Sequence, residues 1–276
     1  MDMSPQGRPD RRSQRHSGGD LHHVCAWAVS GHRATLLFVS APAANYREWP
    51  GCHPGVAAVW TFHNTNASQS LVAADGCFDL ILSISPGTHP SGFIYRPEAR
   101  AQCAQVEPNA QLHGVRLSQG YGAALNIDCK QLIQMAERDF EAGAGPFLLE
   151  TLVIPFIEDI GTPPAVIADF LEHARHSQGS MRLTDSRIGG SSASERELQR
   201  ASHRWLGLTP KAFLRIERAW AARDAIRSGQ PLAAIAADLG FSDQAHLGRE
   251  LRMLLGVTPR QLRPVGILQE PRPRQR

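Results

Sequence analysis

No stretch of this 276-residue chain approaches the 18 or more consecutive apolar residues of a membrane span. Lysine is nearly missing, with Lys130 and Lys211 the only two. The apolar run "ATLLFVSAPAA" (34–44) follows more than thirty residues that contain Asp2, Asp10 and Asp20, which argues against a signal peptide. No CxxC occurs: Cys25, Cys52, Cys77, Cys103 and Cys129 lie 25 to 27 residues apart, unlike the local ligand pairs of a structural zinc site. An odd number of cysteines without a convincing secretion signal points to reduced thiols in a cytoplasmic protein, buried as small hydrophobes. His22, His23 and His53 lie near cysteines and leave a metal- or thiol-sensing role open. Catalytic signatures are missing as well. There is no Gly-x-Ser-x-Gly elbow, "GAGPF" (143–147) lacks the lysine of a phosphate loop, and no His-x-His pair is present, since His53, His63, His89 and His113 stand alone. Neither an enzyme nor a cofactor is expected.

Charge is balanced overall and divided locally. The formal net charge is +3, but residues 171–276 hold 18 Arg and Lys against 10 Asp and Glu, whereas residues 1–170 hold 11 against 16. A basic C-terminal part is the footprint of phosphate binding. Because its cations are almost all arginine, it carries the planar fork that reads guanine O6 and N7 in a bidentate way.

In "GFSDQAHLGRELRMLLGVTP" (240–259), Leu247, Leu251 and Leu254 recur at helical spacing, Ser242 or Asp243 caps the start, and Gly256 and Pro259 stop the helix. Upstream, "LAAIAADLG" (232–240) reads as a second short helix, so the pair suggests a helix-turn-helix or a plain helical hairpin. An internal repeat bears on that choice. A shift of 49 residues lays "LQRASHRWLGLTPK" on "LGRELRMLLGVTPR", matching Leu198 with Leu247, Arg200 with Arg249, Gly207 with Gly256 and Thr209-Pro210 with Thr258-Pro259. A purely structural repeat has no need of the arginine. Residues 211–227 lack Gly and Pro and place Phe213, Ile216, Trp220 and Ile226 at near-helical spacing, a rod about 25 Å long. Recognition helices held on such a rod suit successive major-groove segments about 34 Å apart. Arg215, Arg218, Arg223 and Arg227 on the rod are expected to solvate its surface.

These residues resemble the DNA-binding domain of AraC/XylS-type transcription regulators over about the last hundred positions, most specifically in Gly-Phe-Ser-Asp-Gln-x-His (240–246), Arg249 and Gly-Val-Thr-Pro (256–259). The resemblance implies two helix-turn-helix units, one at each end of the connecting helix. It places Arg196, Gln199 and Arg200 at the DNA in the first unit, and Gln244, His246 and Arg249 in the second. "DSRIGGSSAS" (185–194) is poorer in apolar residues and richer in Gly than a supporting helix, each mid-helix Gly costing about 1 kcal/mol.

Between 21 and 125 the signal turns to strands. "CFDLILSI" (77–84) alternates Phe78, Leu80, Leu82 and Ile84 on one face after an Asp75-Gly76 turn, and "SGFIYRP" and "HGVRLSQG" are further candidates, together a small barrel or sandwich. "HPGVAAVWTFH", "ADGCFDLILSI" and "HGVRLSQGYGAAL" resemble the cupin-like sensor domain of a subset of the same regulators, with Ala74-Asp75-Gly76 in place of Pro-Asp-Gly and Ser118-Gln119-Gly120 in place of Arg-Pro-Gly. From Cys129 the pattern is helical through "KQLIQMAERDF" and "FLLETLVIPFIEDI", whose apolar faces serve either a dimer contact or packing on the β domain of the same chain. "GTPPAVIADFLEHARHSQG" introduces the DNA-binding part.

The expected fold class is α+β: a basic tail over 1–20, a β-rich sensor domain over 21–128, a helical linker or dimerisation segment over 129–162, an all-α domain of two helix-turn-helix units over 163–265 and a tail over 266–276. The expected partners are operator DNA, a second copy of the chain, RNA polymerase for an activator, and a small-molecule effector, with no membrane. A metal- or thiol-sensing or protein-interaction module with a degenerate helix-turn-helix is the alternative.

Overall fold

The computed structural model describes residues 36–37, 46–63, 68–127, 129–139, 146–180 and 194–263. Eight strands come first: β1 (Leu36–Leu37), β2 (Tyr46–Pro50), β3 (Val56–His63), β4 (Ser68–Val72), β5 (Asp79–Ile84), β6 (Ser91–Tyr95), β7 (Gln102–Val106) and β8 (Gln111–Leu117). Helices follow: α1 (Ala123–Ile127), α2 (Cys129–Asp139), α3 (Pro146–Ile160), α4 (Ala165–His176), α5 (Glu195–Trp205), α6 (Pro210–Arg227), α7 (Leu232–Asp238), α8 (Gln244–Leu255) and α9 (Pro259–Leu262). This is the expected α+β order.

The strands form a five-stranded sheet, β2-β3-β8-β5-β6, and a three-stranded sheet, β1-β4-β7, with antiparallel pairing throughout. Alternation gives the larger sheet two different faces. Phe78, Leu80, Leu82, Val115 and Leu117 turn to one side and pack with Leu132, Leu149, Val153 and Ile157 of α2 and α3. Trp60, Phe62 and Ile81 turn to the other side, toward β4 and β7. Trp60 lies across β8 at Gly114, where any Cβ would come within 2.1 Å of the indole.

The helical stretch after Cys129 therefore turns most of its apolar surface onto its own β domain. Leu132 is buried there, and Leu148, Leu152 and Phe156 pack against the same cluster. Glu150, itself buried, accepts the Cys52 N–H at 2.6 Å and pins α3 to the β2–β3 loop. Phe147 alone of the residues named in that stretch is widely exposed, at 50%, with its ring 5.7 Å from that of Trp49.

The cysteine expectation needs correction. Cys52 and Cys103 are exposed and Cys77 is half-buried. Cys52 sits in a loop, and Cys103 points outward from β7 because Ala104 and Val106, one and three residues later, take the inward positions. Cys25 and Cys129, with the tails at 1–20 and 266–276, lie outside the residues whose side chains are described.

The C-terminal helices enclose a second core around Phe170, Phe213, Ile216, Trp220, Leu247, Leu251 and Leu254. Ala73 and Ala74, from the loop after β4, are buried in that core and join it to the β domain.

Candidate nucleic-acid interface

Among the described residues the 49-residue repeat is realised from the cap of α5 and of α8 onward. Ser194 caps α5 by accepting the Glu197 N–H, and Asp243, 49 residues on, caps α8 by accepting the His246 N–H at 2.6 Å. Of the two cap candidates in the second unit, Asp243 is the one used. The bond from His246 holds the Asp243 carboxyl below its ordinary range, with Arg249 nearby acting in the same direction. Both helices stop at a left-handed glycine, Gly207 at φ 67° and Gly256 at φ 71°, and the next helix starts behind Thr209 or Thr258. α6 spans Pro210–Arg227 and packs against both α5 and α8, as a connecting rod should.

Each repeat buries leucine and exposes polar side chains. On α8, Leu247, Leu251, Leu254 and Leu255 face the core, while Gln244, Arg249 and Arg252 are exposed. On α5, Leu198 and Ser202 are buried, and Arg196, Gln199 and Arg200 are exposed. Gly248 leaves open space beside Arg249, since a Cβ there would meet nothing closer than Pro259 at 4.0 Å. Five of the six residues expected at DNA thus lie on outward helix faces, and Gln199 also donates to Glu195 at 3.3 Å. His246 differs. It is half-buried, its ring stands edge-on to Phe241 at 5.5 Å, and its Nδ1 accepts from the Ser242 N–H at 3.3 Å. It sits in the first turn of α8, held against Ser242 and Phe241 of the preceding turn. The Gly-rich segment 185–193 that precedes α5 lies outside the described residues.

Three of the four rod arginines are engaged within the domain, where they were expected to solvate its surface. Arg215 donates to both Glu250 oxygens, each at 2.9 Å, and so fastens α6 to α8. Arg218 lies over the Phe241 ring at 5.4 Å and donates to the Gly240 carbonyl, while Arg223 stacks on Trp220 at 4.1 Å. Arg227 is exposed at the end of α6.

The β domain grips both units at matching points of the repeat. The Trp205 carbonyl accepts the Gly122 N–H at 3.0 Å, and the carbonyl of Leu254, 49 residues on, accepts the Ala74 N–H at 2.8 Å. A Cβ at Gly207 would meet Phe78 at 2.7 Å, and one at Gly256 would meet Leu71 at 2.3 Å. The Trp220 indole donates to the Ala74 carbonyl at 2.7 Å. Gln119, at the position where the sensor resemblance departs from its pattern, donates to the Asp75 carbonyl and to Glu217, and accepts from Arg175. Among the described residues these contacts leave the outward faces of α5 and α8 uncovered.

A polar cluster lies inside the β domain. Buried Arg116 meets Glu48 at 3.3 Å, Asp75 at 3.5 Å and Asp79 at 3.3 Å, and Trp60 donates to Asp79 at 2.7 Å. Burial pushes the Asp79 carboxyl up to about 6, against the opposing pull of Arg116. Among the described residues no group of three or more His, Cys, Asp or Glu is arranged to hold a metal ion, and no single helix is long and apolar enough to cross a membrane.

Two short helices at a tight turn, α7 and α8, with α5 repeating α8 at the other end of the rod and both α5 and α8 edged with arginine, define the DNA-binding part of a transcription regulator. Residues 191–264 match the family model described as a helix-turn-helix domain, and this C-terminal domain is of the AraC type. No curated protein matches the chain. Among solved structures it is similar to ToxT from Vibrio cholerae, at 9% identity over 75% of this chain and 98% of that one, with a TM-score of 0.39. Wild-type ToxT of strain SCE256 with unsaturated fatty acid bound matches at 9% identity over 74% and 94%, with a TM-score of 0.35. ToxT of strain O395 bound to (E)-4-(8-methylnaphthalen-1-yl)but-3-enoic acid matches at 11% over 79% and 97%, with a TM-score of 0.33.

Proposed function

We propose that the chain regulates transcription by reading a specific operator with α8, supported by α5, under the control of a small-molecule effector held in its N-terminal domain. The observation that carries this reading is the outward face of α8, where Gln244 and Arg249 stand exposed on a capped helix whose opposite face is packed against the rod. An exposed arginine at that place suits bidentate readout of guanine, and an exposed glutamine suits adenine. Arg200 occupies the repeat position of Arg249 and extends the readout to the first unit, with Arg196 and Gln199 on the same face. His246 orients the turn, and Arg252 is placed for phosphate.

Control by the N-terminal domain is supported by the paired bonds from Gly122 and Ala74 to the ends of α5 and α8. A change in the β domain is felt at the same point of both reading helices. Self-association and contact with RNA polymerase complete the reading; exposed Phe147 beside Trp49 is apolar surface left for the former. Such a chain works in the cytoplasm, where its DNA is, and performs no catalysis.

The test is a gel-shift titration at fixed salt. Arg249→Ala should weaken binding to the operator by about 1 to 3 kcal/mol and relax preference at one or two base pairs, with little change on unrelated DNA. Unchanged operator affinity would remove α8 as a reader.

A further inference from the structure

Between the two sheets of the β domain lies a cavity of about 160 Å³. Its wall is mostly apolar and aromatic, with Trp60, Phe62, Ile81 and Phe93 from the larger sheet facing Val72 and Ala104 from β4 and β7. A dry cavity of roughly 150 Å³ elsewhere admits a benzene-sized molecule, so the space suits a single substituted ring.

Two hydroxyls in this wall have no hydrogen-bond partner among the described residues: the Ser70 Oγ, in a residue only 2% exposed, and the Tyr95 hydroxyl. A buried hydroxyl without a partner carries the full cost of its lost hydration. Two such groups on opposite sheets, both lining one cavity, are accounted for if a ligand supplies what they lack. Burial and the nearby Asp75 and Asp79 carboxylates hold the Tyr95 phenol well above its usual range, so it keeps its proton and donates.

The charges in the wall narrow the ligand further. Among the described residues Arg116 is the one cation lining the cavity, and three carboxylates already surround it within 3.5 Å. Glu107 adds a further acid to the lining. A ligand carboxylate would enter an excess of negative charge. A ligand ammonium would meet Arg116 beside an Asp79 whose Oδ1 already takes the Trp60 N–H. Hydroxyls are what the wall leaves unanswered.

We propose that this cavity binds an uncharged, single-ring apolar molecule carrying a hydroxyl or carbonyl oxygen, seated between Ser70 and Tyr95. This rests on the reading of the N-terminal domain as the effector domain and specifies the chemistry of its ligand. β4 supplies Ser70 and Val72 to the cavity and continues directly into Ala73 and Ala74, which enter the core of the DNA-binding helices.

The test is calorimetric titration of the full-length protein with 4-ethylphenol, 4-ethylbenzoate and 4-ethylbenzylammonium. 4-Ethylphenol should bind at least about tenfold more tightly than either charged analogue, and Ser70→Ala and Tyr95→Phe should each weaken it by about five- to tenfold. Because each substitution removes an unpaired buried hydroxyl, the unliganded melting temperature should stay level or rise. A hydroxyl with a merely structural role would lower it. Equal or tighter binding of a charged analogue, unchanged binding by both variants, or no binding of any probe would overturn the assignment. Titration of operator DNA without probe is read separately. Failure there sinks the regulator reading and leaves the cavity result standing.

Discussion

At the scale of single residues, the arginines of the C-terminal domain divide by what their guanidinium groups touch. Arg196, Arg200, Arg249 and Arg252 stand on exposed faces, whereas Arg215, Arg218 and Arg223 bind neighbours inside the domain. The sequence did not separate these classes, because the partner of Arg215 is Glu250, 35 residues away on another helix. Its side chain is 27% exposed and that of Glu250 13%, so solvent weakens the pair without abolishing it. Arg215→Ala should lower unfolding free energy by about 1 to 2 kcal/mol in urea titrations. Arg227→Ala, at an exposed site on the same rod, should change it by less than about 0.5 kcal/mol. Equal losses in the two variants would mean that the Arg215 fork holds nothing together.

At the scale of elements, what is local was legible. The stop signals at Gly207 and Gly256, the threonines before Pro210 and Pro259, and the leucine spacing of α8 all act within one turn, and each appears where the pattern put it. The same holds for β5, whose alternation named its inward face correctly from Phe78 to Ile84. What depends on distant partners was not legible. Gly207 and Gly256 read as helix stops, but nothing nearby in sequence says that Phe78 and Leu71 also need their missing side chains. Arg116 draws its acids from residues 48, 75 and 79, and no periodicity links these positions. The apolar face of α2 and α3 was plain, but a pattern does not name the surface that covers it. The α8 cap is a local device and gives a local prediction: Asp243→Ala should cost about 1 kcal/mol. Gel-shift affinity for the operator should fall with it as the first turn of α8 loosens, and a variant with unchanged stability would show that the cap bond contributes nothing.

At the scale of the whole molecule, the basic half is joined to an acidic half by a shared core. Removing residues before 164 takes Ala73 and Ala74 out of that core and strips Trp220 of its carbonyl acceptor. A fragment of residues 164–276 should therefore melt below the full chain. It should still bind DNA, with log affinity falling steeply against log salt as counterions are released. Residues 1–170, with 11 basic against 16 acidic side chains, should show no such binding. Salt-independent binding by the fragment, or binding retained by the N-terminal half, would contradict this division of labour. The central claim is that the intact protein recognises sequence, and the most direct measurement is selection of bound fragments from genomic DNA by the purified full-length chain. The account predicts repeated recovery of a few fragments that share one motif in two copies, inverted or direct, and loss of that enrichment with Arg249→Ala. Recovery of fragments with no common motif, at affinities set by salt alone, would contradict it.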